Sequence, residues 1–238
     1  MARKPRVYAE DSFYHVTARA NRQELILEDK QIKELFIHTV KRAKKKYSFE
    51  VRNICIMGNH IHMDIKPHKE TKKPDDEDDD KQNKSEEEKG KNKDISSVNN
   101  KKDKEEEDHS LSQIMRWILS TFAVNYNKLF NYKGHVWYDR FKSVVIRSYI
   151  QFIKTFLYIM NNPVRANIVN HPLEFAYNGV TMMREERYSW LLSPPNERFM
   201  RFIDKFLANY DPEKYRKADP RLTFMGRREM KRYSNQKM

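Results

Sequence analysis

The chain has 238 residues, of which 34% are charged and 38% hydrophobic, and its formal net charge is +13. This length fits one domain with appendages or two small domains. The single cysteine, Cys55, excludes an intramolecular disulfide, indicates a reducing compartment and is expected to be a buried, inert thiol. We find no signal-peptide pattern and no apolar run of membrane-spanning length, so the sequence predicts a cytoplasmic protein.

The polarity is concentrated in residues 70–108, which contain 16 acidic and 10 basic residues and no aromatic one. Such a segment cannot bury enough apolar surface to offset its ordering entropy, so we expect it to be disordered. The remainder carries 37 basic and 18 acidic residues, a net charge of +19. This excess is typical of proteins that bind nucleic acids, although soluble basic proteins share it.

The N-terminal part predicts a strand, a helix and a hairpin. Residues 13–20 alternate and are rich in strand-forming residues, and residues 30–47 carry an apolar stripe at helical spacing. Residues 49–57 and 60–67 predict two strands, which the dipeptide Gly58-Asn59 joins in a tight turn.

Helices predominate after the charged segment. A helix is predicted from Ser110 to Phe130, a fourth strand within residues 135–148, and a helix from Tyr149 that Pro163 stops or kinks. Residues 197–210 carry aromatic residues at helical spacing, and a basic tail follows. This order of elements predicts an α+β fold, an antiparallel sheet with helices packed on it.

The segment MGNHIHMDIKP, residues 57–67, places two histidines one residue apart in a predicted strand. Because alternate side chains of a strand share a face, His60 and His62 point one way while Ile61 and Met63 point the other. The apolar pair can then face a core while the imidazoles share a cation. A His-x-His pair also arises by chance, and it needs a further ligand to hold a hard cation.

Two other polar residues of the predicted sheet are expected to have lesser roles. Asp64 shares the histidines' face but lies about 13 Å of chain from His60, at roughly 3.3 Å per residue. We therefore expect it to support the ligands or to face solvent, not to bind the same cation. His15, on the first strand, is expected to serve the structure and not the chemistry.

The segment LYIMNNPVRA places Tyr158 and Asn162 four residues apart, on one face of a helix. A tyrosine is a poor nucleophile at its free pKa near 10, but its phenolate can attack phosphorus to form a phosphotyrosine. A divalent cation would polarise the phosphate, and an amide oxygen suits Mg²⁺ or Mn²⁺. From the residues alone, a core position for Tyr158 is the commoner alternative.

Five segments of the chain follow one another in a characteristic order: MARKPRVYAEDSFYHVTARANRQ, IMGNHIHM, LSQIMRWILSTFAVNYNKLF, GHVWYDRFKSVVI and YIMNNPVRANIV. In this order they resemble the single-tyrosine HUH transposases, most closely the REP-associated tyrosine transposases. The resemblance covers about residues 1–69 and 109–192. The chain departs from the family's pattern at Gly58, where proline is usual, at Asp64, where an apolar residue is usual, and at the charged insertion.

The resemblance implies a ferredoxin-like sandwich of the HUH endonuclease type. It implies a metal-dependent transposase that nicks and rejoins single-stranded DNA at repetitive palindromic hairpins, without ATP. His60 and His62 would hold Mg²⁺ or Mn²⁺ with Asn162 as a further ligand. Tyr158 would be the nucleophile, leaving a 5′-phosphotyrosine and a free 3′-OH. The implied partner is single-stranded or hairpin DNA, with no membrane, and the protein would act as a monomer or a homodimer.

The expected organisation is a transposase domain over residues 1–69 and 109–192, a disordered charged insertion over 70–108, and a C-terminal helix with a basic tail over 193–238. The insertion is an inert linker or, alternatively, a polyanion that competes with DNA for the basic face. The residues expected to contact DNA phosphates are Lys4, Arg6, Arg19, Arg22, Arg140, Lys142 and Arg165.

Two alternatives stay open at this point. A catalytically silent relative could keep the fold and the DNA-binding face and recognise a sequence or hairpin without cleaving it. A basic protein that binds structured RNA would show the same charge and aromatic content.

Overall fold

The structure, a computed structural model, describes residue 9 and residues 11–68 and 111–216. Within them one four-stranded antiparallel sheet has the order β2-β3-β1-β4. The predicted α+β fold, an antiparallel sheet with packed helices, is confirmed. The strands are β1 (Phe13–Arg19), β2 (Phe49–Ile56), β3 (His60–Pro67) and β4 (Lys142–Ile146).

Seven helices accompany the sheet in the described part of the chain. None of them is both long enough and apolar enough to cross a bilayer. The charged insertion and the part of the predicted basic tail beyond residue 216 lie outside the described residues. The helices are α1 (Lys30–Lys46), α2 (Leu111–Phe130), α3 (Tyr149–Met160), α4 (Asn162–Arg165), α5 (Gly179–Met182), α6 (Glu197–Ala208) and α7 (Glu213–Arg216).

One face of the sheet forms the main core with α1 and α2. Strand alternation places Val16 of β1 and Met63 of β3 on this face, and both side chains are fully buried. Phe36 of α1 and Phe122 of α2 pack in the same cluster with their rings 5.5 Å apart. Cys55 is fully buried, as expected of an inert thiol.

The opposite face of the sheet is covered by α3, with α6 packed behind it. Phe156 of α3 is fully buried against Phe199 and Ile203 of α6. The side-chain amide of Asn53 donates to the Phe156 carbonyl at 3.1 Å, which fixes α3 to β2. Gly179 is required beside it, because a Cβ there would lie 2.1 Å from the Asn53 side-chain oxygen.

A tight break separates α3 from α4, where the sequence predicts a stop or kink at Pro163. Helix α3 ends at Met160, and Pro163 is the second residue of α4. The buried Asn161 between the two helices donates from Nδ2 to the Leu157 carbonyl at 2.8 Å, and its Oδ1 accepts from the hydroxyl of Tyr210. The break is therefore tied both to α3 and to the segment after α6.

Candidate active site

The face of the sheet beneath α3 is polar. The strand register pairs His15 with Asp64, Thr17 with His62, and Arg19 with His60. Residues paired across an antiparallel ladder project from the same face. These six residues thus form one polar surface between two strands, with Lys142 of β4 paired to Thr17 beside it.

The helices α3 and α4 bring the remaining candidate residues to this surface. The ring of Tyr158 lies edge-on to two imidazoles, with its centroid 5.4 Å from that of His62 and 5.7 Å from that of His15. The Oδ1 of Asn162 lies 3.4 Å from the Nε2 of His60. The structure therefore brings together His60, His62, Tyr158 and Asn162 within one chain.

His60 is oriented by its neighbour in the hairpin turn. Its Nδ1 lies 2.7 Å from the Oδ1 of Asn59 and must donate to it, which leaves the Nε2 lone pair facing Asn162. The pKa of His60 is lowered to about 4, chiefly by burial and secondly by the positive charge of Arg19, while the contact with Asn162 acts the other way. At neutral pH this imidazole is uncharged.

His62 is held by two residues of β1. Its Nδ1 lies 3.0 Å from both the Nε2 of His15 and the Oγ1 of Thr17, and the two imidazoles stack with their centroids 5.1 Å apart. Burial first, then the nearby His60, His15 and Arg19, lower the pKa of His62 well below its usual value. Burial also lowers the pKa of His15 to about 4. All three imidazoles are therefore neutral at pH 7, the form that binds a metal ion.

His60, His62 and Asn162 form the donor set for the cation that the resemblance implies. Two neutral imidazoles and one amide oxygen are borderline and hard ligands, which suit a divalent ion such as Mn²⁺ better than a structural Zn²⁺. Among residues 9, 11–68 and 111–216, no three His, Cys, Asp or Glu side chains form a cation site. The residues fit a cation that takes its remaining ligands from water and phosphate oxygens.

A cleft of about 460 Å³ opens beside Tyr158 and His62. Its charged lining residues are all basic, with Arg19 on β1, Lys142 on β4 and Lys154 one helical turn before Tyr158. A cleft lined by cations attracts a phosphate backbone. The other lining residues are His15, Thr17, Gln151 and Thr155.

The sequence-predicted DNA contacts separate into three groups. Arg19 and Lys142 line the cleft, and the guanidinium of Arg165 lies 5.2 Å from the centroid of the Tyr158 ring. Arg22 and Arg140 are exposed but do not line the cleft. Lys4 and Arg6 lie outside the described residues.

Of the two roles expected for Asp64, support of the ligands or exposure to solvent, the second is wrong. Its side chain is fully buried, and neither of its oxygens has a hydrogen-bond partner in the described part of the protein. Burial raises its pKa to about 7, with the charge of Arg52 acting in the opposite direction. Strand alternation places Asp64 on the polar face but does not report how deeply that face is buried.

Sequence reasoning missed three members of the site. His15 and Thr17 contact His62 directly, and Lys154 lines the cleft beside Tyr158. A signal for two of them was present, since His15, Thr17 and Arg19 alternate along one strand. Lys154 precedes Tyr158 by four residues and so shares its helix face.

These features define an α+β protein in which a buried histidine pair, an amide and a tyrosine meet at one basic cleft. Residues 9–75 match the family described as IS200-like transposases. The predicted resemblance to single-tyrosine transposases is confirmed. No curated protein matches the chain.

Solved structures that are similar to this chain include the following two. A REP-associated tyrosine transposase bound to a REP hairpin has 18% sequence identity and a TM-score of 0.50, over 75% of this chain and 82% of that one. This likeness supports the fold. A crystal structure from Deinococcus radiodurans R1, provisionally assigned as a transposase, has 12% identity and a TM-score of 0.34, over 67% of this chain and 97% of that one.

Proposed function

We propose that the protein is a metal-dependent transposase that nicks and rejoins single-stranded DNA at hairpin sites through a 5′-phosphotyrosine at Tyr158. The observation that carries this proposal is the convergence of one tyrosine with a neutral histidine pair at a basic cleft. The REP hairpin bound to the similar transposase supports hairpin DNA as the substrate class.

In the proposed reaction the phenol of Tyr158 loses its proton to solvent, and its oxygen attacks the phosphorus of one phosphodiester. The bond between phosphorus and the 3′ oxygen breaks, and that oxygen takes up a proton to become a free 3′-OH. The ester energy is retained in the phosphotyrosine, so that a 3′-OH can later reverse the step and rejoin the strand.

His60, His62 and Asn162 would hold the divalent cation, Mg²⁺ or Mn²⁺. When bound, such an ion polarises the phosphate and offsets its negative charge. The buried position of the two histidines keeps them neutral and available as ligands. His15 and Thr17 orient the His62 ring from β1, a support that typically changes metal affinity by about 10- to 100-fold.

The basic residues around the cleft would hold the DNA backbone. Arg19, Lys142 and Lys154 line the cleft from three different elements, where each can neutralise a phosphate of the bound strand. Arg165 adds a positive charge against the Tyr158 ring, where it can neutralise a phosphate beside the nucleophile.

The test is covalent trapping. Full-length protein is incubated with hairpin oligonucleotides copied from the DNA on either side of the gene, with Mn²⁺, Mg²⁺ or a chelator, and adducts are separated on a denaturing gel. We expect an adduct that requires the cation and is lost in Tyr158→Phe, while oligonucleotide binding persists. Tyr149→Phe, which alters an exposed tyrosine at the start of the same helix, is the matched control.

An adduct in Tyr158→Phe would show that another residue is the nucleophile. Hairpin binding that is unchanged by chelator, with no cleavage under any divalent ion, would instead identify a catalytically silent DNA-binding protein. Tighter binding of the RNA version of the same hairpin would favour the structured-RNA alternative.

We further propose that the site works within one subunit, because all four residues converge in a single chain. Mixing Tyr158→Phe with His62→Ala tests this directly. We expect no cleavage by the mixture. Restored cleavage would mean that the tyrosine of one subunit serves the histidines of another.

A further inference from the structure

Four cations lie near the end of α1, the helix that packs on the apolar face of the sheet, away from the candidate active site. Lys41 and Lys45 stand four residues apart, as do Arg42 and Lys46, so the four side chains share one face of the helix. All four residues are exposed. We call Lys41, Arg42, Lys45 and Lys46 the cation stripe.

The helix dipole explains only part of this stripe. The C-terminus of a helix attracts cations within its last turn, which contains Lys45 and Lys46. Lys41 and Arg42 lie one turn earlier, where this effect has faded. In the described part of the chain, no carboxylate forms an ion pair with Lys41, Lys45 or Lys46.

Carboxylates on the elements next to the stripe have other partners. Glu34, the one acidic residue of α1, accepts from the hydroxyls of Tyr177 and Tyr188, each at 2.9 Å. Glu50 of β2 pairs with His68 at 3.1 Å. Helix α2, which packs beside α1, contains no acidic residue.

The loop that meets the stripe from the other side adds little negative charge. Lys41 lies over the ring of Trp190, 5.2 Å from its centroid. Two carboxylates precede Trp190 in this loop, Glu185, which pairs with Arg187 at 2.6 Å, and the exposed Glu186. The stripe therefore presents positive charge that its described surroundings do not balance.

The charged insertion begins beside this stripe. His68 is the last described residue before it, and the His68 backbone donates to the Ser48 carbonyl at 3.0 Å. Ser48 follows Lys46 by two residues. The chain therefore enters the insertion next to the last turn of α1.

The insertion also ends beside the stripe. Leu111 begins α2, and Trp117 of α2 has its ring 6.2 Å from that of Tyr47 and 5.8 Å from the guanidinium of Arg42. At 1.5 Å per residue, Leu111 lies about 9 Å along the helix from Trp117. Both ends of the insertion are thus fixed close to the four cations.

The negative charge of the insertion is concentrated in runs, and two of these runs are near its ends. Residues 75–80, DDEDDD, are six acidic residues in succession, residues 105–108, EEED, are four, and every basic residue of the insertion lies outside these two runs. At up to about 3.6 Å per residue, Asp75 is at most about 25 Å of chain from His68 and Asp108 about 11 Å from Leu111. Both runs can therefore reach the stripe.

We propose that the acidic runs 75–80 and 105–108 bind the cation stripe of their own chain and keep nucleic acid off this face of the protein. Of the two roles expected for the insertion, this is the polyanion, directed at α1 and not at the cleft beside Tyr158. The ion pairing is independent of the proposed function, whereas the effect on nucleic acid rests on it.

Tethering favours the acidic runs over free DNA as the occupant of the stripe. A single exposed ion pair contributes little, but runs of six and four carboxylates act together on four cations. A tethered segment also reaches an effective concentration on the order of millimolar. Free DNA has no such advantage.

The stripe also lies at the wrong end of the sheet for a strand held at Tyr158. Helix α1 leads into Phe49, which pairs with Pro67 at the end of β3, whereas His60 begins β3 at the candidate active site. DNA bound in the cleft therefore leaves the stripe unexplained.

The first test detects the contact itself and uses no DNA. Full-length protein is treated at low and at high salt with a carbodiimide, which joins amines and carboxylates that are in contact, and its peptides are analysed by mass spectrometry. We expect cross-links from Lys41, Lys45 or Lys46 to the two runs, and their loss at high salt. Lys128 and Lys133, exposed lysines at the far end of α2, are the control and should give none.

The second test measures the shielding with a fluorescein-labelled duplex that contains no hairpin, in chelator. Neutralising both runs, Asp→Asn and Glu→Gln throughout, should tighten binding of this duplex roughly 10-fold at low salt, because the cations of the stripe become available to phosphates. Adding Lys41→Gln, Lys45→Gln should cancel most of this gain. The matched pair Lys128→Gln, Lys133→Gln should leave it in place.

Several results would overturn the inference. Cross-links that reach Lys128 and Lys133 as often as the stripe, or that join only different molecules, would show that the runs do not bind α1 of their own chain. A gain in duplex affinity that Lys41→Gln, Lys45→Gln does not reduce would mean that the runs act through the total charge. If this pair weakens duplex binding equally with and without the runs, the stripe is itself a DNA surface.

The two proposals fail in different ways. If the stripe cross-links to the runs but no Tyr158 adduct forms on hairpin DNA, the ion pairing stands and the proposed function is wrong. If the adduct forms and the cross-links do not, only this inference is wrong. Thermal unfolding of each variant checks that its fold is intact, and the cross-linking result requires no variant.

Discussion

The two faces of β3 are almost equally buried but differ in chemistry, since one is apolar and the other polar. Ile61, Met63 and Ile65 are fully buried on one face, and His60, His62 and Asp64 are at most 4% exposed on the other. The first set packs against aliphatic and aromatic side chains and contributes hydrophobic free energy. The second set loses water without gaining comparable contacts, and it includes two carboxylate oxygens with no partner in the described residues.

Burial of a side chain alone therefore does not identify it as part of a hydrophobic core. Burying polar groups costs free energy unless they are hydrogen-bonded, so the helix over the polar face is held elsewhere, by its packing against α6. The polar face is therefore predicted to be a region where substitutions change chemistry more than stability. On the apolar face the reverse is predicted.

The largest effect is expected from His62→Ala. Loss of one of the two proposed imidazole ligands should abolish detectable Mn²⁺ binding in isothermal titration and reduce cleavage by at least about 100-fold. Stability should change little, because the ring contributes few apolar contacts. The control is His38→Ala, an exposed histidine on α1. Normal Mn²⁺ affinity in His62→Ala would remove this residue from the proposed ligand set.

The next effect concerns the pH dependence of stability at Asp64. Burial raises its pKa from 3.8 to about 7, so the folded protein holds this proton more tightly than the unfolded chain. The free energy of unfolding should therefore fall as pH rises from about 4 to about 7. At roughly 1.4 kcal/mol per pKa unit the loss is about 4 kcal/mol.

Asp64→Asn removes this titration and keeps the side-chain size. Urea unfolding between pH 5 and pH 8, with chelator present, should show that the stability of the variant relative to the unaltered protein increases with pH. A constant difference across this range would mean that Asp64 is solvated in solution. Because the histidines are common to both proteins, their titration cancels from the comparison.

The apolar face should respond to Met63→Ala, one residue from His62. Met63 is fully buried, and truncating such a side chain usually costs about 2 to 5 kcal/mol, from lost transfer free energy and from the cavity left behind. Urea unfolding measures this loss. Mn²⁺ affinity of the remaining folded protein should be unchanged, and a parallel loss of affinity would show that the two faces are not independent.

The sequence predicts most of this sheet because its signals are local. The bounds of β3, residues 60–67, are recovered as predicted, and α1 ends within one residue of its predicted end. The convergence of His60, His62, Tyr158 and Asn162 was expected only from the family resemblance. Spacing alone places His60 with His62 on one face of a strand and Tyr158 with Asn162 on one face of a helix. It does not bring the strand and the helix together.

The rest of the site depends on register and packing, which sequence periodicity does not specify. His15 meets His62 because of how β1 pairs with β3. Asp64 is fully buried although it stands on the polar face, and the hydroxyl that holds the break before Asn162 belongs to Tyr210, which follows α6 about 50 positions later in the chain. Such tertiary contacts override local preferences, and no pattern within one element reports them.

The smallest effect is expected where the polar face is tied to the C-terminal helices. Tyr210 donates a hydrogen bond to Asn161, which is buried between Tyr158 and Asn162. Tyr210→Phe leaves that oxygen unsatisfied, so we expect a loss of about 1 kcal/mol in unfolding free energy and a several-fold loss of Mn²⁺ affinity. Tyr215→Phe, which keeps the ring stacked 5.1 Å from that of Tyr210, is the control. Lower stability with unchanged Mn²⁺ affinity would mean that this bond supports only the fold, whereas a loss of both would mean that the segment after α6 helps to position Asn162, the proposed ligand.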